Sequence, residues 1–169
     1  MPKRAQEEEE RKMLKTLFNI CLYLNNFFDR GLKRLYGTIL IENGAISNPE
    51  FYEIIQDGQY FRIVNSIFND GIYKYEANKA MNLHDESFVG AVWLMAIPQD
   101  IIDLANEVEA WVTKYNAVDS PNMSPFNSES FGGYSYTKSS GNSENEANLG
   151  ANTWQGVFAS RLNPWRKLK

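Results

Sequence analysis

Asp85-Glu86-Ser87-Phe88-Val89-Gly90-Ala91-Val92-Trp93-Leu94-Met95-Ala96-Ile97-Pro98 reads as a helix that runs into a break. Asp85 takes the N-cap position, where a short polar side chain accepts from the first free amides of a helix. Phe88, Val92, Trp93 and Ala96 then give that helix one buried stripe. Pro98 disfavours helical geometry at Ile97 but suits the first turn of a new helix, so the chain is expected to break and restart there. In the second helix Ile101, Leu104, Ala105, Val108, Trp111, Val112 and Tyr115 keep the cleanest 3.6-residue rhythm in the chain. It is expected to form the centre of the core.

Upstream, Met13, Leu14, Leu17, Phe18, Cys21, Leu24, Phe27 and Phe28 give the stretch from Glu7 to about Arg30 an amphipathic helical face. Gly31 permits its end. Glu7 to Glu10 favour the positive end of that helix, and a run of charge at such a place is most simply a solvated helix start. Thr38-Ile39-Leu40-Ile41 leads into Asn43-Gly44, the dipeptide most tolerant of the positive φ angles of a tight hairpin. A second pair of strand-like runs, Tyr60 to Val64 and Ile72 to Tyr75, brackets Asn69-Asp70-Gly71. Together they predict an antiparallel sheet of about four strands, which needs a covering helix to be stable. The N-terminal helix is the obvious cover.

Downstream, Pro121 and Pro125 make residues 117–126 an extended connection. Ser128-Glu129-Ser130-Phe131-Gly132-Gly133-Tyr134-Ser135-Tyr136-Thr137 reads as a strand with Tyr134 and Tyr136 on one face. Residues 138–152 are rich in Ser, Asn, Gly and Glu, too polar to offset their ordering entropy, and read as a flexible linker. In the last stretch Trp154, Val157, Phe158, Arg161, Leu162 and Trp165 recur at helical spacing, with Arg166, Lys167 and Lys169 at the negative helix end. The expected fold is α+β: a mainly α-helical bundle with a small antiparallel β element inserted after the first helix, then a C-terminal strand and an anchoring helix. The expected division is a core domain at 1–137 with its β element at 37–76, a linker at 138–152 and an anchoring helix at 153–169.

Composition narrows the function. The chain has 169 residues, enough for one core with appendages. Aromatic residues make up 14% of it, and aromatics bury large areas in cores and interfaces. A net charge of -4 argues against a protein that coats DNA, because such binding neutralises phosphates with Lys and Arg. Cys21 is the only cysteine, so no disulfide forms within the chain. The N-terminal apolar run is interrupted by Asn19, Asn25 and Asn26 and follows four glutamates, a pattern that fits neither a signal peptide nor a membrane span. A soluble protein that stays in the cell making it is expected.

No catalytic constellation emerges. His84 is the only histidine, which removes Cys/His zinc sites and histidine relays within one chain, and it reads as a polar residue at a helix entrance. Asp100, Asp103 and Glu107 share a helix face but read as solvated carboxylates or as partners for basic residues of a neighbouring subunit. Gly132-Gly133 lacks the Gly-Lys-Ser/Thr ending of a phosphate loop. Ser128, Ser130 and Ser135 lack a histidine relay. No cofactor or metal is expected, and the chemistry is that of binding.

Three stretches, Ile97-Pro98-Gln99-Asp100-Ile101, Ser128 to Ser135, and Arg161-Leu162-Asn163-Pro164-Trp165-Arg166-Lys167, occur in that order and together resemble the bacteriophage head-tail connector, or head-completion adaptor, proteins. Asp57 to Tyr73 looks like a segment of connector-like proteins from phages of Gram-positive bacteria, and departs from the smallest, purely helical adaptors. The resemblance implies a structural virion protein. It would form a ring, dodecameric to match the portal, that joins the portal to the tail and continues the DNA channel. Its partners would be the portal protein, neighbouring copies of itself, a tail-side neck or tail-terminator protein, and passing double-stranded DNA bound without sequence specificity; no membrane partner is implied. Its location would be the virion neck, and the host bacterial cytoplasm during assembly. Tyr134, Tyr136, Trp154, Phe158, Arg161, Trp165 and Arg166 are the expected portal or subunit interface. Packing of the last helix within its own subunit, or contact with nucleic acid, are the competing readings of that stretch. The runner-up functions are a tail-completion or head-closure protein of the same neck and a DNA-binding accessory protein of packaging.

Overall fold

A computed structural model describes residues 3–115, 128–131, 134–137 and 153–168. The chain divides into two compact units, Met1–Ala105 with Arg166–Lys169, and Asn106–Trp165.

The first unit opens with α1 (Lys3–Leu24). It ends six residues before the expected Arg30, because Asn25 takes a left-handed φ of 50°. The amide of Asn25 donates to the Leu22 carbonyl and that of Asn26 to the Cys21 carbonyl, each at 3.0 Å, the two bonds that close a helix end. Strand β1 (Arg34–Glu42) turns through Asn43-Gly44 into β2 (Ala45–Ile46), and the φ angles of 53° and 75° are those of the tight hairpin that this dipeptide favours. A short helix, α2 (Pro49–Ile54), precedes β3 (Tyr60–Val64) and β4 (Gly71–Lys74), which pair antiparallel.

The segment expected as a helix from Asp85 is instead β5 (Glu86–Met95), the longest strand and the middle one of the sheet. The strand order is β2-β1-β5-β3-β4, with every pairing antiparallel. This overturns the helical-bundle expectation: the fold is α+β, built on a curled five-stranded antiparallel sheet rather than on a bundle with a small β insertion. The cause lies in burial. Ala91, Val92, Leu94 and Met95 are all buried, so apolar residues occupy both faces of the strand and the run shows no alternation. A continuous apolar run of this kind does not distinguish strand from helix by periodicity.

On one sheet face Ile39, Ile41, Phe61, Ile63, Val92 and Leu94 pack with Ile46, Phe51 of α2 and Leu83 into the main core. The opposite face carries Arg62 and its cross-strand partner Trp93. There the Arg62 guanidinium lies 3.9 Å from the Phe27 ring centre, 5.1 Å from Trp93 and 5.3 Å from Phe18 of α1. Leu17, Ile20, Cys21 and Leu24 form the buried stripe of α1. The β1 edge is closed beyond β2 by Asn48, whose Oδ1 accepts from the Leu40 amide at 2.9 Å and whose Nδ2 donates to the Thr38 carbonyl at 3.0 Å. The first turns of α3 (Gln99–Tyr115) bury Ile101, Leu104 and Ala105. The centre of the core is therefore the sheet, not α3.

The second unit holds the rest of α3 and a two-stranded hairpin of β6 (Ser128–Phe131) and β7 (Tyr134–Thr137). It also holds α4 (Trp154–Val157), α5 (Ala159–Leu162) and a 3-10 turn at Asn163–Trp165. The last stretch is thus two helical turns that break at Phe158, not one continuous helix. Thr153 caps the first of them by accepting from the Gly156 amide at 3.4 Å. The expected connection at 117–126 and linker at 138–152 lie outside the described residues.

Candidate interaction surface

The loop between β3 and β4 is held by an unusually dense set of polar contacts. Asn65, at a φ of 70°, turns the chain; its amide donates to Asp70 Oδ2 at 2.9 Å and its Nδ2 to the Val89 carbonyl at 2.7 Å. Glu86, at the start of β5, receives three donors: Ser66 Oγ at 2.5 Å, the Ile67 amide at 3.0 Å and Asn69 Nδ2 at 3.1 Å. Burial alone would raise the Glu86 pKa, but the hydrogen bonds of Ser66, Ile67 and Asn69, with the Phe68 amide, together outweigh it and hold the carboxyl below its ordinary range. Asn69 is 1% exposed and bridges to the next segment, accepting from the His84 amide at 2.8 Å and donating to the His84 carbonyl at 2.9 Å. Tyr73 closes the set with its hydroxyl on the Asn69 carbonyl at 3.1 Å.

What this frame presents is apolar. Ile67 is 83% exposed and Phe68 64%, with the Phe68 ring 6.2 Å from that of His84. A loose loop would fold such residues back; here the Ile67 amide donates to Glu86 and the Asn69 amide to Ser66 Oγ, which itself donates to Glu86. A rigid apolar tip is suited to binding, because little conformational freedom remains to be lost on association. A second apolar area lies on the solvent side of the sheet, where Val89 is 69% exposed opposite Thr38, and Tyr36 and Leu40 flank it on the neighbouring strand. Arg34 donates to the Tyr36 hydroxyl at 3.0 Å and holds that ring in place. Exposed apolar areas on a well-ordered frame mark interaction sites.

The residues expected at the interface lie in both units. Tyr134 and Tyr136 lie on β7, and their side chains fall outside the described residues. Trp154, Phe158 and Trp165 are half-buried in the second unit, and Leu162 between them is fully buried. Arg161 pairs with Glu107 of its own chain, Nη2 to Oε1 at 3.0 Å and Nη1 to Oε2 at 2.5 Å. Arg166 belongs to the first unit, where its guanidinium lies 4.5 Å from the Tyr23 ring centre. His84 is exposed, and its backbone rather than its ring carries the bonds to Asn69.

The sequence marks Asn69 only as a turn residue and does not single out Ser66 or Glu86, because placing Glu86 in the first turn of a helix separates it from the β3–β4 loop. Among the described residues no cluster of three His, Cys, Asp or Glu side chains is placed to hold a metal, and no helix is long and apolar enough to cross a membrane. Burial pushes the Cys21 thiol up to about 12, which keeps it protonated and unreactive. No family model, curated protein or solved structure matches the chain.

Proposed function

We propose that this chain is a structural protein of the neck of a tailed bacteriophage, forming a ring that joins the capsid portal to the tail and continues the DNA channel. The reading rests first on the ordered set of connector-like stretches in the sequence. The structural observation that supports it most is the rigid loop carrying exposed Ile67 and Phe68, a surface organised for protein contact. The ring would be dodecameric on the portal and meet a tail-side neck or tail-terminator protein on its other face. Double-stranded DNA would pass without sequence-specific contact. Assembly would occur in the host bacterial cytoplasm and the product would reside in the virion neck; the role is binding, not catalysis.

The extent of the sheet favours a second reading, a head-closure or tail-completion protein lower in the same neck. Mixing the purified protein with its cognate portal and imaging the product separates the two. A ring seated directly on the portal is the expected result. Attachment only to heads that already carry another connector supports the second reading, and a protein that stays monomeric and binds neither overturns both. In the same assay Ile67→Ser with Phe68→Ser should leave the melting temperature unchanged and abolish assembly, since an exposed hot spot is worth about 2 kcal/mol or more, roughly thirtyfold per site.

A further inference from the structure

β4 is an open sheet edge. The Tyr75 amide donates to the Gln59 carbonyl at 2.9 Å, which continues the β3–β4 register of Phe61 opposite Tyr73. Antiparallel strands exchange bonds at alternate residues, so Phe61–Tyr73 and Ile63–Gly71 bond across the pair while Ile72 and Lys74 turn their amides and carbonyls outward. Among the described residues none of these outward groups has a partner. On the other side of the sheet, β2 and Asn48 cap β1 from Thr38 to Glu42 only.

The open edge borders space. A cavity of about 330 Å³ lies between Arg11, Lys15 and Phe18 of α1 and Gly71 and Ile72 of β4. A second, of about 140 Å³, continues past Tyr73 and Lys74 and shares Arg11, Leu14 and Asn82 with the first. Edge strand, helix wall and cavity together form the groove in which an extended segment adds to a sheet. Arg11 and Lys15, one turn apart on the helix wall, make no ion pair among the described residues. Asp70, which lines the first cavity with both of them, already accepts from the Asn65 amide and lies 4.0 Å from Arg62, while Glu7 and Glu10 line the second cavity beside Arg11 and Glu10 is paired with Lys79. That part of the groove therefore calls for a segment bearing a carboxylate.

The chain carries one such segment. β6 and β7 form an isolated ladder of four residue pairs, the same length as β4, and a two-stranded sheet alone is marginal in water. Glu129 in β6 is the sole charged residue of 128–137. We infer that the groove between α1 and β4 is a strand-addition site, and that its occupant is the β6 strand of a second copy of this chain. Pairing would extend the five-stranded sheet by the two strands of the hairpin and bring Glu129 of that copy toward Arg11 and Lys15. The choice of a second copy rests on the proposed ring assembly.

The test places a photoreactive benzoyl-phenylalanine at position 74 of the full chain and mixes it with ¹⁵N-labelled wild-type protein. The expected product is a cross-link from position 74 to labelled residues 128–137. The product should be lost when the photoreactive subunit carries Arg11→Glu and Lys15→Glu, and regained when the labelled copy carries Glu129→Lys. A cross-link confined to the hairpin of the same chain overturns the proposal, as does a cross-link indifferent to the charge reversal. Rings on the portal without any cross-link to the hairpin overturn it while leaving the ring assembly intact; neither rings nor cross-link removes both.

Discussion

Gly90 of β5 lies against the Val64 carbonyl of β3. A Cβ there would overlap the Val64 carbonyl oxygen and come within 2.7 Å of the Phe88 ring. The ring has some room to turn, whereas the carbonyl is part of the sheet, so relief requires the strands to separate. Gly90→Ala should therefore lower unfolding stability by about 1–3 kcal/mol, the usual range for overpacking, read as a lower urea midpoint with an unchanged slope. A midpoint equal to wild type would show that β3 and β5 do not meet at this residue. Arg62 illustrates the opposite problem, a charge under aromatic rings. Burial lowers its pKa below the ordinary value, and Asp70 offsets only part of that. Its Nε and the indole nitrogen of Trp93 are both buried without a hydrogen-bond partner among the described residues, so the stack of rings rather than a polar network holds the guanidinium.

Among the secondary-structure elements, the β3–β4 loop depends on one carboxylate contributed by the next strand. Glu86 ionises below its ordinary 4.5 because the donors of Ser66, Ile67 and Asn69, with the Phe68 amide, outweigh the effect of burial. A depressed carboxylate stabilises the folded state above its unfolded pKa, and that contribution is lost as pH falls through the folded value. The Ile67 amide resonance should therefore shift on acidification with a midpoint below that of an ordinary glutamate, as Glu86 protonates. In Glu86→Gln that low-pH step should vanish. A step that persists in the variant would assign the titration to another group. Asn25 does comparable work for α1, ending the helix in left-handed geometry so that Phe27 leaves it and reaches Arg62.

Over the molecule at large, the C-terminal residues of the first unit meet the end of α1. The Lys167 amide donates to the Leu24 carbonyl at 3.0 Å, one of the acceptors that a helix end leaves open, while Lys167 Nζ lies 3.8 Å from buried Asp29 and Arg166 stacks on Tyr23. A chain ending at Trp165 should lose about 1 kcal/mol of stability, the usual net worth of such a bond, measured as a lower midpoint of thermal unfolding. An unchanged midpoint would mean that the strap contributes nothing. Residues that signal through their immediate neighbours are legible in the sequence. Asn43-Gly44 requires the positive φ angles of a hairpin, Pro98 requires a break, and the i, i+3, i+4 stripes of α1 and α3 declare two helices. Of the candidate surface, only the Asn69-Asp70-Gly71 turn between two strands is legible in this way. Local chemistry alone thus sets turns, helix starts and amphipathic faces. Long-range packing is what makes β5 a strand and gives Glu86 to a loop twenty residues earlier. A strand covered on both faces loses its alternation, and its hydrogen-bond partners, Arg34 to Ile41 on one side and Tyr60 to Val64 on the other, are remote in sequence.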